Sequence, residues 1–196
     1  MPATRPLGKR FEKALVYAAR AHATQFRKGT ARPYISHLLG VAAIVLTQGG
    51  DEDEAIAALL HDAVEDQGGA TRLRGIRTKF GARVAQIVAD CSDTDIVPKP
   101  PWLERKKAYI EHLRLANSSV RLVSAADKLY NIHETIADYR HHGRSIWKRF
   151  HAGRDLSLWY YRQVAKILRR RGPRELSSDL DRAIKELARI SKRSKK

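Results

Sequence analysis

Apolar residues recur along this chain at three- and four-residue intervals and nowhere alternate over any length, so the pattern predicts helices and no sheet. Phe11, Leu15, Ala18 and Ala19 open the first helix, which runs towards Gln25-Phe26. His22 lies on its apolar stripe and reads as a packed, hydrogen-bonded core histidine. Leu38, Val41, Ala42 and Val45 mark a second helix, opened by His37 and closed by Gln48-Gly49-Gly50. The third is read as one continuous helix over 51–66, with Ile56, Leu59, Leu60, Ala63 and Val64 as its buried face. Asp51 to Glu54 make its acidic first turn, which suits the helix dipole. Leu73, Ile76 and Phe80, then Val84, Ile87 and Val88 after Gly81, continue the helical spacing. Pro98, Pro100 and Pro101 predict a loop. Helices return over 102–115, over 120–131 with Leu122, Ala125, Ala126 and Leu129 buried, and at about 179–190. The aromatics of Trp147 to Phe150 and Leu158 to Tyr161 are expected to pack a C-terminal helix pair on the core. The fold class is all-α.

The polar positions carry the chemistry. Opposite the apolar face of the central helix stand His61, Asp62 and Glu65, with Asp66 at the rim. Such a face is either solvated or built for a ligand. Small neighbours (Ala57, Ala58, Ala63) and an uncharged run from Ala55 to Leu60 favour burial, and an adjacent His-Asp pair offers one nitrogen and one oxygen to a divalent metal. Asp127 and Asn131, four residues apart, share a helix face with Ser124. An aspartate among alanines and leucine needs a partner, and a metal would serve. Arg27-Lys28-Gly29-Thr30-Ala31-Arg32-Pro33-Tyr34 is a loop whose cations are either plain surface or a clamp for a base or phosphate. His37 follows this rigid loop on the first turn of a helix, placed to act as a ligand.

The 196 residues fit one domain: a flexible lead-in at 1–10, a single domain over 11–190 with core 11–140 and basic helices 141–190, and a basic tail at 191–196. The net charge of +17 is concentrated late, because residues 140–196 hold 18 Lys and Arg against 5 Asp and Glu. Such a field attracts nucleotides, nucleic acid or acidic membrane surfaces without distinguishing them. The single Cys91 allows no internal disulfide and fits a reducing compartment. The N-terminus lacks the apolar segment of a secretory signal and no run approaches the ~20 apolar residues of a membrane span. A cytoplasmic enzyme that needs neither membrane nor nucleic acid is expected.

Taken together, His37, His61-Asp62 and Asp127 resemble the HD superfamily of metal-dependent phosphohydrolases. Within it, Arg27-Lys28-Gly29-Thr30, Pro33-Tyr34-Ile35-Ser36-His37, Ala58 to Asp66 and Ala126 to Asn131 resemble, in order and spacing, the hydrolase domain of the RelA/SpoT homologues. Trp147 to Phe150 and Leu158 to Tyr161 extend the likeness to the single-domain small alarmone hydrolases, over about residues 11–170. The resemblance implies an all-helical HD bundle holding one divalent ion, usually manganese, and removing the 3′-pyrophosphate of guanosine tetra- and pentaphosphate, without synthetase activity. Carried over, the metal ligands are His37, His61, Asp62 and Asp127. Glu65 and Asp66 position or activate the attacking water, Arg27 and Lys28 contact the base, and Asn131 contacts the ribose. Thr24 stands where the family usually has glycine, and Tyr130 where it commonly has histidine, which bears on nucleotide preference. The same ligands suit an HD enzyme acting on adenosine alarmones or NADPH. A non-enzymatic, basic nucleic-acid-binding protein is the reading from another class; it leaves Glu65, Asp66 and Asp127 unexplained.

Overall fold

The computed structural model of the chain describes residues 6–94 and 98–192. Helix α1 (Lys9–Ala21) leads to a loop and α2 (Ile35–Thr47), then α3 (Glu52–Leu60) and the single turn α4 (Ala63–Asp66). Helices α5 (Gly69–Phe80) and α6 (Ala82–Cys91) follow, then α7 (Trp102–Leu115) and the long α8 (Ser118–His142). A 3₁₀ segment (Gly143–Arg149) joins α8 to the hairpin of α9 (Gly153–Arg171) and α10 (Arg174–Lys192). Among the described residues the only β pairing is one bridge, Phe26 with Pro33, which closes the 27–32 loop.

The ends of elements differ from the periodic reading in instructive ways. Helix α1 starts at Lys9, inside the expected lead-in. Gly8 N–H donates to Glu52 Oε1 (2.7 Å), and Arg10 reaches Glu52, Asp53 and the Phe80 carbonyl. Residues 1–5 of that lead-in and 193–196 of the expected tail lie outside the described residues, while residues 191–192 of that tail belong to the last helix. Helix α1 stops at Ala21 rather than near Phe26, because His22 turns inward to stack on Tyr34 (centroids 5.2 Å, 15° apart) and meets Gln25 Oε1 at 2.6 Å. His22 is buried and hydrogen-bonded, as its place on the stripe predicted. Asp51 and Glu54 form a reciprocal capping box on α3.

The expected continuous helix over 51–66 is a correction. It breaks at His61-Asp62, between α3 and α4. The His61 ring donates from Nδ1 to the Ala58 carbonyl (2.8 Å), the acceptor that a continuous helix would give to the Asp62 N–H. Consecutive helical side chains diverge by about 100°; the break lets His61 and Asp62 face one point instead.

The core is the fully buried run Ala55 to Leu60 of α3, packed against α2, α6 and α8. The close approach of α2 to α8 depends on Gly40. A Cβ there would lie 2.0 Å from Tyr130 Cε2. Tyr130 thus lies over Gly40 and edge-on to His37 (5.2 Å), positioning that imidazole. Alanine for glycine within a helix ordinarily stabilises by about 1 kcal/mol. For Gly40→Ala the sign is expected to reverse, with a loss of about 1–3 kcal/mol from overpacking. Thermal unfolding checks it: a melting temperature equal to or above the parent's would refute the close contact.

Candidate active site

The break between α3 and α4, the first turn of α2 and the middle of α8 meet at one buried point. His37 Nε2 lies 3.3 Å from His61 Nε2, 3.3 Å from Asp62 Oδ2 and 3.3 Å from Asp127 Oδ1. His61 Nε2 lies 3.2 Å from Asp62 Oδ2 and 3.7 Å from Asp127 Oδ1. His37, His61 and Asp127 are almost wholly buried and offer ligand atoms within 4.8 Å of one another. Asp62 joins them from the more open side, its side chain 21% exposed.

The donor chemistry fits a cation. Because the Nδ1 of His61 donates to a carbonyl, its Nε2 presents a lone pair to the centre in the neutral ring. Two carboxylate oxygens point to the same place. That convergence of lone pairs is repulsive until a proton or a divalent ion stands among them. In the metal-free protein a proton answers it. Burial alone would lower the His61 pKa, but Asp62 and Asp127 raise it well above the ordinary histidine range. The imidazoles act in the same way on Asp62: burial opposes its ionisation, and His61 and His37 still hold it well below the carboxylate range. Two nitrogens and two carboxylates, with room on one side, make a set suited to a six-coordinate divalent ion.

Several residues without a role in the periodic reading hold these groups in place. Tyr34 donates from its hydroxyl to Asp62 Oδ2 (2.7 Å). Lys128, half-buried beside Asp127, forms an ion pair with Asp127 Oδ2 and lies over the rings of Tyr109 and Tyr160. It is the first cause holding Asp127 ionised against burial. Adjacency to Asp127 was the one sequence signal for Lys128; no spacing marked Tyr34.

Glu65 and Asp66 stand on α4, one turn past Asp62. Asp66 accepts from Gln25 (2.9 Å) and Glu65 from Lys99 (2.8 Å). Burial raises the Glu65 pKa to about 7, aided by the negative charge of Asp93. Asp93 itself is kept ionised, against burial, by Lys106 and Arg105. Asp93 stands just before the proline loop and Arg105 and Lys106 after it, so nothing in the 58–66 pattern pointed to them.

Next to the metal-suited cluster is a cleft of about 230 Å³ lined by Arg27, Lys28, Asn131, Arg149 and Tyr161. A second hollow of about 170 Å³ shares Asn131, Phe150 and Tyr161 with it and adds Lys106 and Lys128. Arg27 donates to Asn131 Oδ1 (2.6 Å) and stacks over Tyr34 (5.4 Å). The Asn131 amide donates in turn to Asp127 Oδ1. Arg27, Asn131 and Asp127 therefore form one chain from the loop to the cluster. Arg149 enters from the 3₁₀ segment, reaching Asp138 at 2.9 Å, and fills the space above Gly29, whose φ of 69° and close contact exclude a Cβ. The loop that was read as surface or clamp is a wall of this cleft.

The comparisons agree with this architecture. Residues 14–156 match the family model described as the HD domain. The chain is 42% identical over 125 residues to the guanosine-3′,5′-bis(diphosphate) 3′-pyrophosphohydrolase MESH1 of Xenopus tropicalis, covering 62% of this chain and 67% of that protein. It is 32% identical over 130 residues to the bifunctional (p)ppGpp synthase/hydrolase SpoT of Escherichia coli K12, covering 63% of this chain and 18% of that larger protein. A solved structure described as a metazoan orthologue of SpoT that hydrolyses ppGpp superposes with a TM-score of 0.76 at 28% identity, over 94% of this chain and 98% of that one. A Listeria monocytogenes structure superposes with a TM-score of 0.68 at 32% identity, over 80% and 99%. No described helix is long and apolar enough to cross a membrane. With the family model running from α1 to the start of α9, through every element that meets at the buried cluster, the chain belongs to the HD domain family.

Proposed function

We propose that this protein hydrolyses the 3′-pyrophosphate of guanosine alarmones, converting ppGpp and pppGpp to GDP and GTP with release of pyrophosphate. The observation that carries the reading is the meeting of His37, His61, Asp62 and Asp127 at the wall of a cationic cleft. The curated relatives named above as 3′-pyrophosphohydrolases support it. His37, His61, Asp62 and Asp127 would hold one divalent ion, which we take to be manganese. Bound there, it would supply charge neutralisation for phosphoryl oxygens and an acidified water.

The protein's own groups do the rest. Glu65, held by Lys99, takes the proton of the attacking water. Asp66, fixed by Gln25, orients that water. Asn131 exchanges its bond with Arg27 for the sugar and so sets the 3′ phosphorus beside the cluster. Arg27 and Lys28 take the base. Arginine stacks on either purine, so the mechanism accepts guanine or adenine and the cleft alone sets the preference. In the reaction water adds to the phosphorus next to O3′ and gives a proton to Glu65, the P–O3′ bond breaks, O3′ takes up a proton to become the 3′-hydroxyl, and pyrophosphate leaves.

Product analysis tests it. With manganese present, ppGpp is expected to give GDP and intact pyrophosphate in equal amounts, with the 5′ diphosphate untouched. Orthophosphate from the 5′ end, or no reaction with guanosine and adenosine alarmones alike, would overturn the assignment. Faster reaction with the adenosine form would correct only the base.

A further inference from the structure

The positive charge of the C-terminal hairpin is ordered. Helices α9 and α10 run antiparallel about Gly172-Pro173 and enclose a groove of about 610 Å³ on the surface. One wall carries Arg162, Lys166 and Arg169 and the other Lys185, Arg189 and Lys192. Each set follows i, i+4, i+7 spacing, which aligns the cations on one helical stripe about 10 Å long. All six are exposed.

Some basic side chains elsewhere are paired, Arg10 with Glu52, Arg32 with Glu134, Arg83 with Asp51 and Arg140 with Glu186; what sets the groove apart is the alignment of its cations. In the groove Asp181 pairs with Arg169 at 3.2 Å. Among the described residues no carboxylate pairs with Arg162, Lys166, Lys185, Arg189 or Lys192. Five cations thus line one concave strip in which Asp181, already paired with Arg169, is the one lining carboxylate. Like charges so placed repel, and a bound polyanion relieves that repulsion.

The groove is separate from the cleft. Helix α9 lies between them, turning Tyr161 to the cleft and Arg162, the next residue, to the groove. A mononucleotide in the cleft leaves these cations unused.

The shape selects the occupant. The apolar floor, Ile184 and Ala188, is buried to 4% and 9% exposure, so it offers no anchor for the apolar face of a docking helix. No aromatic or large apolar side chain stands on the rim to enter a lipid surface, and the cations line a hollow rather than a convex face. One phosphodiester strand lying between two cationic stripes about 10 Å long places about three phosphates there, at about 3.4 Å per nucleotide, shared by both walls. We propose that the α9–α10 groove binds single-stranded nucleic acid through its phosphates, without reading bases, at a site distinct from the catalytic cleft.

The test is fluorescence anisotropy of the full chain with a labelled, unstructured 20-nucleotide RNA across a salt series. About three neutralised phosphates predict that log K falls with log salt at a slope of about −2. Lys166→Glu with Arg189→Glu should weaken binding at least tenfold, and the neutral pair Lys166→Gln with Arg189→Gln should do so in part. A control of matched charge on α5, Arg77→Glu with Lys79→Glu, should stay within about twofold of the parent. Alarmone turnover should be unchanged in all three, which separates the groove from the cleft. Equal weakening by groove and control variants would show only a general charge effect and overturn the site. So would capture by phosphatidylserine vesicles that is lost in the groove variant while RNA binding is absent.

Discussion

Asp62→Ala and Asp127→Ala are both expected to lose bound divalent metal, and turnover should fall on the order of 10³-fold or more, as loss of several kcal/mol of charge stabilisation requires. Their effects on stability should part. The Asp62 side chain is 21% exposed, and its removal leaves the Tyr34 hydroxyl to find another acceptor while His37 and His61 keep Asp127 beside them. The Asp127 side chain is 9% exposed and is the paired counter-charge of Lys128, whose side chain is 13% exposed. Removing one partner of a buried ion pair costs about 3–5 kcal/mol, because the remaining charge is stranded. Asp127→Ala should therefore unfold far more easily than Asp62→Ala. Adding Lys128→Met to Asp127→Ala should recover much of that stability but neither metal nor turnover. Metal analysis of the purified variants and denaturant unfolding read the two effects separately. Full metal occupancy in Asp62→Ala would remove it from the ligand set; equal stability of the two single variants would show that Lys128 is paired otherwise.

Glu65→Gln is expected to keep its metal and lose turnover on the order of 10²-fold or more, the usual loss when a general base is removed. The pH profile identifies the group. Only the carboxylate accepts a proton, so turnover should rise with pH and level off above the Glu65 midpoint. Burial and Asp93 set that midpoint at about 7 in the metal-free protein. A divalent ion nearby favours the carboxylate and can only move it lower. Asp93→Asn removes a like charge and should shift the rising limb further to low pH. In Glu65→Gln the limb should vanish. A profile of unchanged shape in Glu65→Gln, or a turnover near the parent's, would take Glu65 out of the chemistry.

Much of the bundle was legible in the residue pattern because helices are local. Stripes at three- and four-residue spacing located the elements, Asp51 with Glu54 marked the start of α3, and Gly29 and Pro33 marked the loop before α2. The positions of His37, His61, Asp62, Asp127 and Asn131 were also legible. Polar groups on otherwise apolar faces must find partners, and the resemblance of the motif blocks to the HD hydrolases implied which ones belong together. The structure brings all five to one place.

The tertiary structure decided what depends on groups distant in sequence or on competition between side chain and backbone. Periodicity treats 51–66 as one helix. It has no means of seeing that the His61 ring takes the Ala58 carbonyl and turns two neighbouring residues to one point. Nor does it bring Asp93, Arg105 and Lys99 around Glu65, or Arg149 and Tyr161 beside Arg27, since each contact crosses a loop or several helices. The cations of α9 and α10 looked like ordinary solvated faces on each helix alone. Only their antiparallel packing makes two stripes into a groove, because a charge pattern on one helix specifies a face, while its partner across space is chosen by the core that packs the helices together.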